Sequence, residues 1–478
     1  MFIWNEKDIN ANQVAAIKEQ NNVLLIACPG SGKTRTLTYK IAFELSKLES
    51  KKQFIIAITY TNRAADEIKE RIELLGVETA QLWIGTIHAF CLEWILKPYH
   101  SYLEILKDGF RVINPHESEE LLTQLCIPYL SKNISFYDCS YIQNTNGYSL
   151  SCSASYKHQY IHLILEKYWS ILNKRRQIDF QLMLLYSFRL INENRFISNI
   201  LSNLFSYLLL DEYQDTSEIQ YAILLKILSA SKKKLKTFIV GDPNQSIYHS
   251  LGGYPISKNE LEAQSGSDFQ LFSLSGNYRS SNTIINYFDF FKTFPNEIIG
   301  CGKYKDYHSK ISYNKIIRRV LLEDEIIRLI KLNIEINGIL PNEICIIAPQ
   351  WVHLASLTRS LMVKLPNQSF DGPGMAPFAR DIDNFFFKLC RIILTEPSPG
   401  MYVKRLRWSE EILEEFRYLN IDTSKLTKKI LLKTCNGIYI EETDGIPYLK
   451  NFISALFKIL NINLYNYESL KEHYVSFF

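Results

Sequence analysis

The sequence predicts an α/β protein built on a mostly parallel sheet whose strand ends carry phosphate chemistry. Three observations predict it. Short apolar runs at 23–26, 54–58, 207–210 and 237–240 alternate with longer segments of helical spacing, as crossover connections require. The first run leads into Ala27-Cys28-Pro29-Gly30-Ser31-Gly32-Lys33-Thr34, followed by Leu37, Ile41, Leu45 and Leu48 on one helical face. The third run ends in the adjacent carboxylates Asp211 and Glu212.

Strand, glycine-rich turn and helix together are the context of a phosphate-binding loop. Gly30 and Gly32 allow a tight turn that points backbone N–H groups inward. Lys33 would reach the β- and γ-phosphates of ATP, and the Thr34 hydroxyl would bind Mg²⁺. Ala27 stands where such loops usually begin with glycine.

A chain of 478 residues is too long for one core, so two to four domains are expected. A net charge of +4 does not by itself demand a nucleic-acid partner. Local basic clusters occur at Lys174-Arg175-Arg176, at Lys232-Lys233-Lys234 with Lys236, and at Lys404-Arg405 with Arg407; each is a solvated face or a binding patch. Aromatic content of 13 % leaves rings available for base stacking. Nine scattered cysteines without a Cys-x-x-Cys pair argue against a disulfide framework or a zinc ribbon. Neither a signal-peptide pattern nor an apolar run of membrane-span length is visible, so a soluble, cytoplasmic protein without membrane partners is expected.

Along the chain, Asn10-Ala11-Asn12-Gln13 opens a short helix, and the Gln13 amide could read adenine. The second apolar run enters Thr59-Tyr60-Thr61-Asn62-Arg63, whose polar groups suit phosphate and sugar contacts while Tyr60 offers a stacking face. Thr61 or Asn62 would equally serve as a helix cap. Trp83 and Ile84 run into Gly85-Thr86-Ile87-His88-Ala89-Phe90. Residues 91–196 read as a helical insertion with a small-residue loop at 149–155. Its His158, His162 and Glu166 have metal-compatible spacing, but the apolar residues among them make an ordinary amphipathic helix.

Asp211 would hold Mg²⁺ and Glu212 would accept the proton of an attacking water. The fourth run ends in residues 241–248, where the neutral amide of Gln245 could sense a terminal phosphate. After an apolar run at 271–274 comes Asn277-Tyr278-Arg279-Ser280; Arg279 could neutralise charge on a transferred phosphoryl group. Residues 344–347 read as a strand of a second α/β domain, residues 325–336 as a helix, 371–377 as a Gly/Pro-rich boundary, and the remainder as mostly helical.

Taken in order, these blocks resemble the superfamily 1 DNA helicases of the UvrD/Rep type over about residues 8–350. The resemblance implies an adenine-reading Gln13, Arg35 and Tyr278 sandwiching the adenine, and residues 27–34 on the phosphates. It further implies single-strand contacts at Thr59, Tyr60, Thr61, Asn62, Arg63, Thr86, His88 and Tyr248, coupling through Gln245, and Arg279 as first arginine finger. Ile178-Asp179-Phe180 resembles a family segment near the end of the insertion. The implied architecture is a first RecA-like P-loop domain at 1–90 and 197–275 interrupted by a helical insertion at 91–196. The N-terminal half of a second RecA-like domain at 276–370 and a partial helical insertion at 371–478 would follow.

Two departures stand out. His249 and Ser250 occupy the places of an arginine and a base-stacking tryptophan, so base grip would weaken or move to Tyr248, Tyr60 or another aromatic. The family's late Thr-x-His-x-x-Lys-Gly and Thr-Arg-Ala blocks, the latter with the second arginine finger, have no counterpart after Asn277, so the chain is expected to stop inside the second insertion.

The expected activity is an ATP- and Mg²⁺-dependent single-strand translocase and helicase, 3′ to 5′ by resemblance, acting on single-stranded DNA and its junctions with duplex. The alternative is a nucleotide- and DNA-binding subunit without motor activity, working with a protein partner such as a nuclease or repair factor. A small-molecule kinase would need an acceptor pocket that the sequence does not supply.

Overall fold

A computed structural model describes residues 9–318, 321–349, 351–365, 368, 370, 384–395, 397, 401–424, 426–442 and 444–477. The chain forms two compact units, one running to Ser312 and the other starting at Tyr313. Residues 276–312, expected with a second domain, belong to the first unit.

The first unit is built on six parallel strands in the order β10-β1-β9-β8-β2-β3. These are β1 (Asn22–Ala27), β2 (Phe54–Thr59), β3 (Leu82–Thr86), β8 (Phe205–Leu210), β9 (Lys236–Gly241) and β10 (Phe269–Leu274). Alternation along each strand divides the core in two. Val23, Leu25, Ile55, Ala57, Leu209 and Val240 face one layer, with Leu37, Ile41, Ile68 and Ile72. Leu24, Ile56, Ile58, Leu208, Leu210 and Ile239 face the other, with Leu184, Ile191, Leu201 and Leu224. Both faces are buried, which is why the strands read as continuous apolar runs.

One helix precedes β1, and two follow β1 and β2 closely. Helix α1 (Ala11–Lys18) starts in a capping box made by Asn10 and Gln13. Helix α2 (Lys33–Lys47) starts from Gly32 at φ +83°, a left-handed conformation that glycine adopts without steric cost. Helix α3 (Asn62–Leu74) is capped by the Thr61 hydroxyl, which accepts from the Ala64 N–H at 3.2 Å. Because the sheet is parallel, the loops after all six strands lie at one edge, where open α/β sheets bind ligands.

The insertion is less purely helical than expected. Short strands β4 (Arg111–Val112) and β7 (Gln177–Ile178) pair in parallel, and β5 (Tyr141–Asn144) and β6 (Gly147–Leu150) form a hairpin. The hairpin takes residues 149–150 from the expected loop. The long helices Ser155–Lys174 and Phe180–Glu193 form the body of the insertion. Asp179 caps the second and is its polar centre: it accepts from Leu182 N–H at 2.9 Å, Tyr141 OH at 2.8 Å and Tyr168 OH at 2.9 Å. No metal cluster occurs among the described residues. His158 contacts the Cys152 carbonyl at 2.7 Å and His162 the Tyr148 hydroxyl at 2.7 Å, so both imidazoles serve local structure.

After β10, a final pair, β11 (Gly276–Asn277) and β12 (Ile299–Gly300), closes the strand list of the described residues.

The second unit is helical among its described residues. Helix Leu322–Lys331 meets Trp351–Lys364 around Ile330, Leu361 and Leu365. Helices Phe385–Ile393, Tyr402–Tyr418, Lys428–Asn436, Gly445–Ile459 and Glu468–Phe477 surround a core of Phe385, Phe386, Phe416 and Leu456. The strand expected at 344–347 does not form among the described residues: this stretch is irregular and pairs with nothing described, and Ile347 is 86 % exposed. A strand is made by its neighbours' hydrogen bonds, and no neighbour is described beside it. The Gly/Pro-rich boundary at 371–377 lies outside the described residues. Arg405, counted in a basic cluster, is buried and donates to the Ile392 carbonyl at 3.0 Å, so it serves the core. Among the described residues no helix is long and apolar enough to cross a membrane.

Candidate nucleotide site and nucleic-acid face

The loop after β1 wraps the start of α2. Ala27 needs no glycine's freedom: it ends β1 fully buried in the core. Cys28 is buried beside it, and burial pushes its thiol up to about 11, so it stays neutral. Gly30 is held at φ +68° and packs so closely that a Cβ would sit 2.7 Å from the Cβ of Arg279. That contact brings the expected arginine finger against the expected phosphate loop.

Asn277 makes the junction. It is fully buried, and its Nδ2 donates to the Pro29 carbonyl at 2.7 Å. Its Oδ1 accepts from the Arg279 and Ser280 N–H groups at 2.9 and 2.7 Å. The Tyr278 N–H donates to the Gly30 carbonyl at 2.9 Å. Asn10 Nδ2 donates to the Tyr278 hydroxyl at 2.9 Å, holding that ring at the mouth of the site. Neither Asn10 nor Asn277 has a role of its own that is legible in the sequence, since an asparagine advertises nothing until its partners are known.

Gln13 lines the cleft described below, and both ends of its amide are engaged by the protein. Its Oε1 accepts from the Asn10 N–H at 2.8 Å, and its Nε2 donates to the Ser31 carbonyl at 3.2 Å. A base would have to exchange these bonds for its own.

Lys33 Nζ sits 3.2 Å from Glu212 Oε2, an ion-pair contact rather than a directed hydrogen bond. Glu212 takes a left-handed φ of +50°, unusual for a side-chain-bearing residue and a form of local strain. Asp211 is buried, and its Oδ1 accepts from the Glu212 N–H at 3.1 Å. Desolvation, then the Glu212 charge, push its carboxyl up to about 7 against the opposing pull of Lys33. A carboxylate so poorly compensated, beside a cleft that Thr34 lines, fits a cation.

Lys33 and Glu212, but not Asp211, line a cleft of about 930 Å³. Its wall takes in Gln13, residues 30–35, Glu212, Gln245, Tyr278 and Arg279, so five separated blocks of sequence share one cavity. It also takes in Ile9, Asn10 and an ion pair on α3, Glu67 with Arg71, which the motif reading missed. Their i, i+4 spacing was the available signal, though most such pairs are solvent-facing. Ala27, Cys28 and Pro29 lie behind the loop and do not line the cleft.

Expected strand contacts sort into two groups. Tyr60 and Tyr248 stack with centroids 5.0 Å apart and planes 22° apart, although 188 residues separate them in sequence. Asn62 and Arg63 are exposed beside them. His88 meets the exposed ring of Phe180 edge-on at 5.2 Å, which joins the Ile178-Asp179-Phe180 segment to the block after β3. Burial alone lowers the His88 imidazole to about 4. Thr86 and Thr61 spend their hydroxyls as helix caps. Thr59 is 2 % exposed and its hydroxyl donates to the Thr61 carbonyl at 2.9 Å, so its side chain shapes the loop. His249 and Ser250 are exposed in a short turn after Tyr248.

Comparison with known proteins places this geometry. A family model for the UvrD/REP helicase N-terminal domain matches residues 9–262. The ATP-dependent DNA helicase SRS2 of Saccharomyces cerevisiae is 30 % identical over 300 residues, covering 55 % of this chain and 25 % of that protein. The ATP-dependent DNA helicase PcrA of Staphylococcus aureus is 30 % identical over 289 residues, covering 58 % of this chain and 39 % of that protein. A probable DNA helicase II homolog of Mycoplasma capricolum is 28 % identical over 333 residues, 66 % of this chain and 44 % of that protein. The chain thus spans less than half the length of each of these relatives. By the family model, which covers more than half of its residues, the chain belongs to the UvrD/REP helicase N-terminal domain family.

Proposed function

We propose that this chain binds and hydrolyses ATP and couples the hydrolysis to movement along single-stranded DNA. The observation that carries the reading is the convergence of Lys33, Thr34, Glu212, Gln245 and Arg279 on one cleft. ATP would lie with its triphosphate over residues 30–34 and its adenine near Gln13, Arg35 and Tyr278. Lys33 would leave Glu212 for the β- and γ-phosphates, whose charge exceeds that of one carboxylate. Asp211 and Thr34 would hold Mg²⁺, which when bound neutralises charge on the phosphate oxygens. Glu212, released from Lys33, would take the proton of the attacking water. Arg279 would stabilise the charge that develops on the transferred group, and Gln245 would report whether that group is present.

On the other side of the coupling loop, Tyr60 and Tyr248 would grip bases, with Asn62 and Arg63 on the backbone. The stacked pair supports the expectation that base grip moves to these rings where Ser250 cannot supply it. A 3′ to 5′ direction, action at duplex junctions, a second RecA-like half-domain in residues 276–370, a partial 2B-like insertion in 371–478, and a nuclease or repair partner all rest on family resemblance.

The test is ATP turnover by the purified chain with and without oligothymidylate, beside Lys33→Ala. Turnover stimulated by DNA and lost in the variant supports the motor reading. Nucleotide binding without turnover points instead to a binding subunit of a larger assembly. Turnover that survives in Lys33→Ala removes the site assignment.

A further inference from the structure

We propose that Gln214 is a positioning residue that links the loop carrying Gln245 and Tyr248 to the Glu212 carboxylate. The inference rests on the ATPase reading above. Gln214 is 2 % exposed and sits one turn beyond the acidic pair. Its Nε2 donates to Glu212 Oε2 at 2.9 Å, the same oxygen that faces Lys33. Its Oε1 accepts from the Asp242 N–H at 3.0 Å, and its carbonyl accepts from the Ser246 hydroxyl at 3.2 Å. Asp242 in turn accepts from the Asn244 N–H at 3.0 Å and from Gln245 Nε2 at 2.7 Å. One buried amide therefore joins the end of β8, the end of β9 and the coupling loop. Gly241 makes room for it, since a Cβ there would overlap Gln214 Oε1.

The chemistry follows from what each donor to Glu212 does. Lys33 neutralises the carboxylate, which suits a resting state and not a base. A neutral amide orients the carboxylate and leaves its charge intact. Once phosphate draws Lys33 away, Gln214 remains to hold Glu212. Because both ends of the amide are bonded, it cannot turn without breaking a buried hydrogen bond. A shift of residues 242–248, such as a base displacing Tyr248 from Tyr60, would then reach Glu212 through Asp242 and Gln214.

The experiment measures kcat, KM for ATP and the stimulation by oligothymidylate for the full chain and three variants. Gln214→Met keeps length and removes both bonds; its DNA-stimulated kcat is expected to fall at least about tenfold, with KM and binding of a non-hydrolysable analogue within about twofold. Gln214→Glu keeps the acceptor for Asp242 but sets a charge beside Glu212, and should lose at least as much. Ser246→Ala cuts one of the loop's two links to Gln214, leaves the one through Asp242, and should lower the stimulation ratio about two- to threefold. Wild-type kcat in Gln214→Met, or a rise in KM at unchanged kcat, overturns the proposal. If Gln214→Met no longer binds the analogue, Ser246→Ala decides: undiminished stimulation overturns it. A wild-type chain without turnover refutes the ATPase reading itself. The link is then read as the analogue's effect on oligothymidylate affinity. Its loss in Gln214→Met sustains the link, and its persistence there, or its absence in wild type, overturns it.

Discussion

The two halves of the candidate site are built on different principles. On the nucleotide side, Lys33, Glu212, Gln214, Asp242, Gln245 and Asn277 are tied by charge and hydrogen bonds at 2.7–3.2 Å. On the nucleic-acid side, Tyr60 with Tyr248 and His88 with Phe180 meet ring to ring; Tyr60 and Phe180 are exposed, while Tyr248 is half-buried and the His88 imidazole is largely buried. The difference teaches what each ligand demands. A triphosphate is recognised by dipoles and charges that must be in place before it arrives. A base stacks on any flat apolar face, so that side needs exposure more than fixed polar partners.

The largest expected effect tests the nucleotide side. On the proposed ATPase reading, Lys33→Ala should reduce turnover by about 100-fold or more while the circular dichroism spectrum is unchanged, because the charge proposed to stabilise the transferred phosphoryl group would be lost. Tyr60→Ala combined with Tyr248→Ala should weaken oligothymidylate binding by about 1–3 kcal/mol per base lost from a ring, measured by fluorescence anisotropy, and leave ATP-analogue affinity unchanged. Equal loss of both affinities would erase the distinction between the halves.

Next in size is His88. Its imidazole is depressed to about 4 in the folded chain and titrates near 6.5 when unfolded. The unfolded chain therefore takes up the proton first. The stability held above pH 6.5 declines as pH falls toward 4, by up to about 3 kcal/mol. Urea titrations at pH 7.5 and 5 should reveal the loss, and His88→Phe should flatten its share of it. Asn277→Ala should cost about 1–3 kcal/mol in the same assay, because the Arg279 and Ser280 N–H groups lose their buried acceptor, and should raise KM for ATP. The smallest effect separates a shaping residue from a contacting one. Thr59→Val should cost about 1 kcal/mol of stability and leave oligothymidylate affinity within about twofold, since the lost bond is internal.

Much of the nucleotide site was legible in the chain because phosphate chemistry needs particular residue types at fixed spacing. Gly30, Gly32, Lys33 and Thr34 lie within five residues, and Asp211 adjoins Glu212. The parallel sheet was legible too, since β1, β2, β8 and β9 are buried on both faces and leave uninterrupted apolar runs. The nucleic-acid face was less so. Hydroxyls that suit phosphate also suit helix N-termini, and Thr59, Thr61 and Thr86 went to loop and cap. The run at 344–347 failed as a strand for a related reason: apolar residues are necessary for a buried strand, but a neighbour makes it.

The sequence by itself determined the local units, namely the phosphate loop, the acidic pair and the helices with their caps, because each is specified by residues within a few positions. Only the tertiary structure decided which distant residues meet. The stacking of Tyr60 on Tyr248, the clamp of Asn277 on Pro29 and the seat of Gln214 between Glu212 and Asp242 depend on the strand order β10-β1-β9-β8-β2-β3. That order is set by packing two apolar layers on one sheet, a property of the whole domain that no short window of sequence contains.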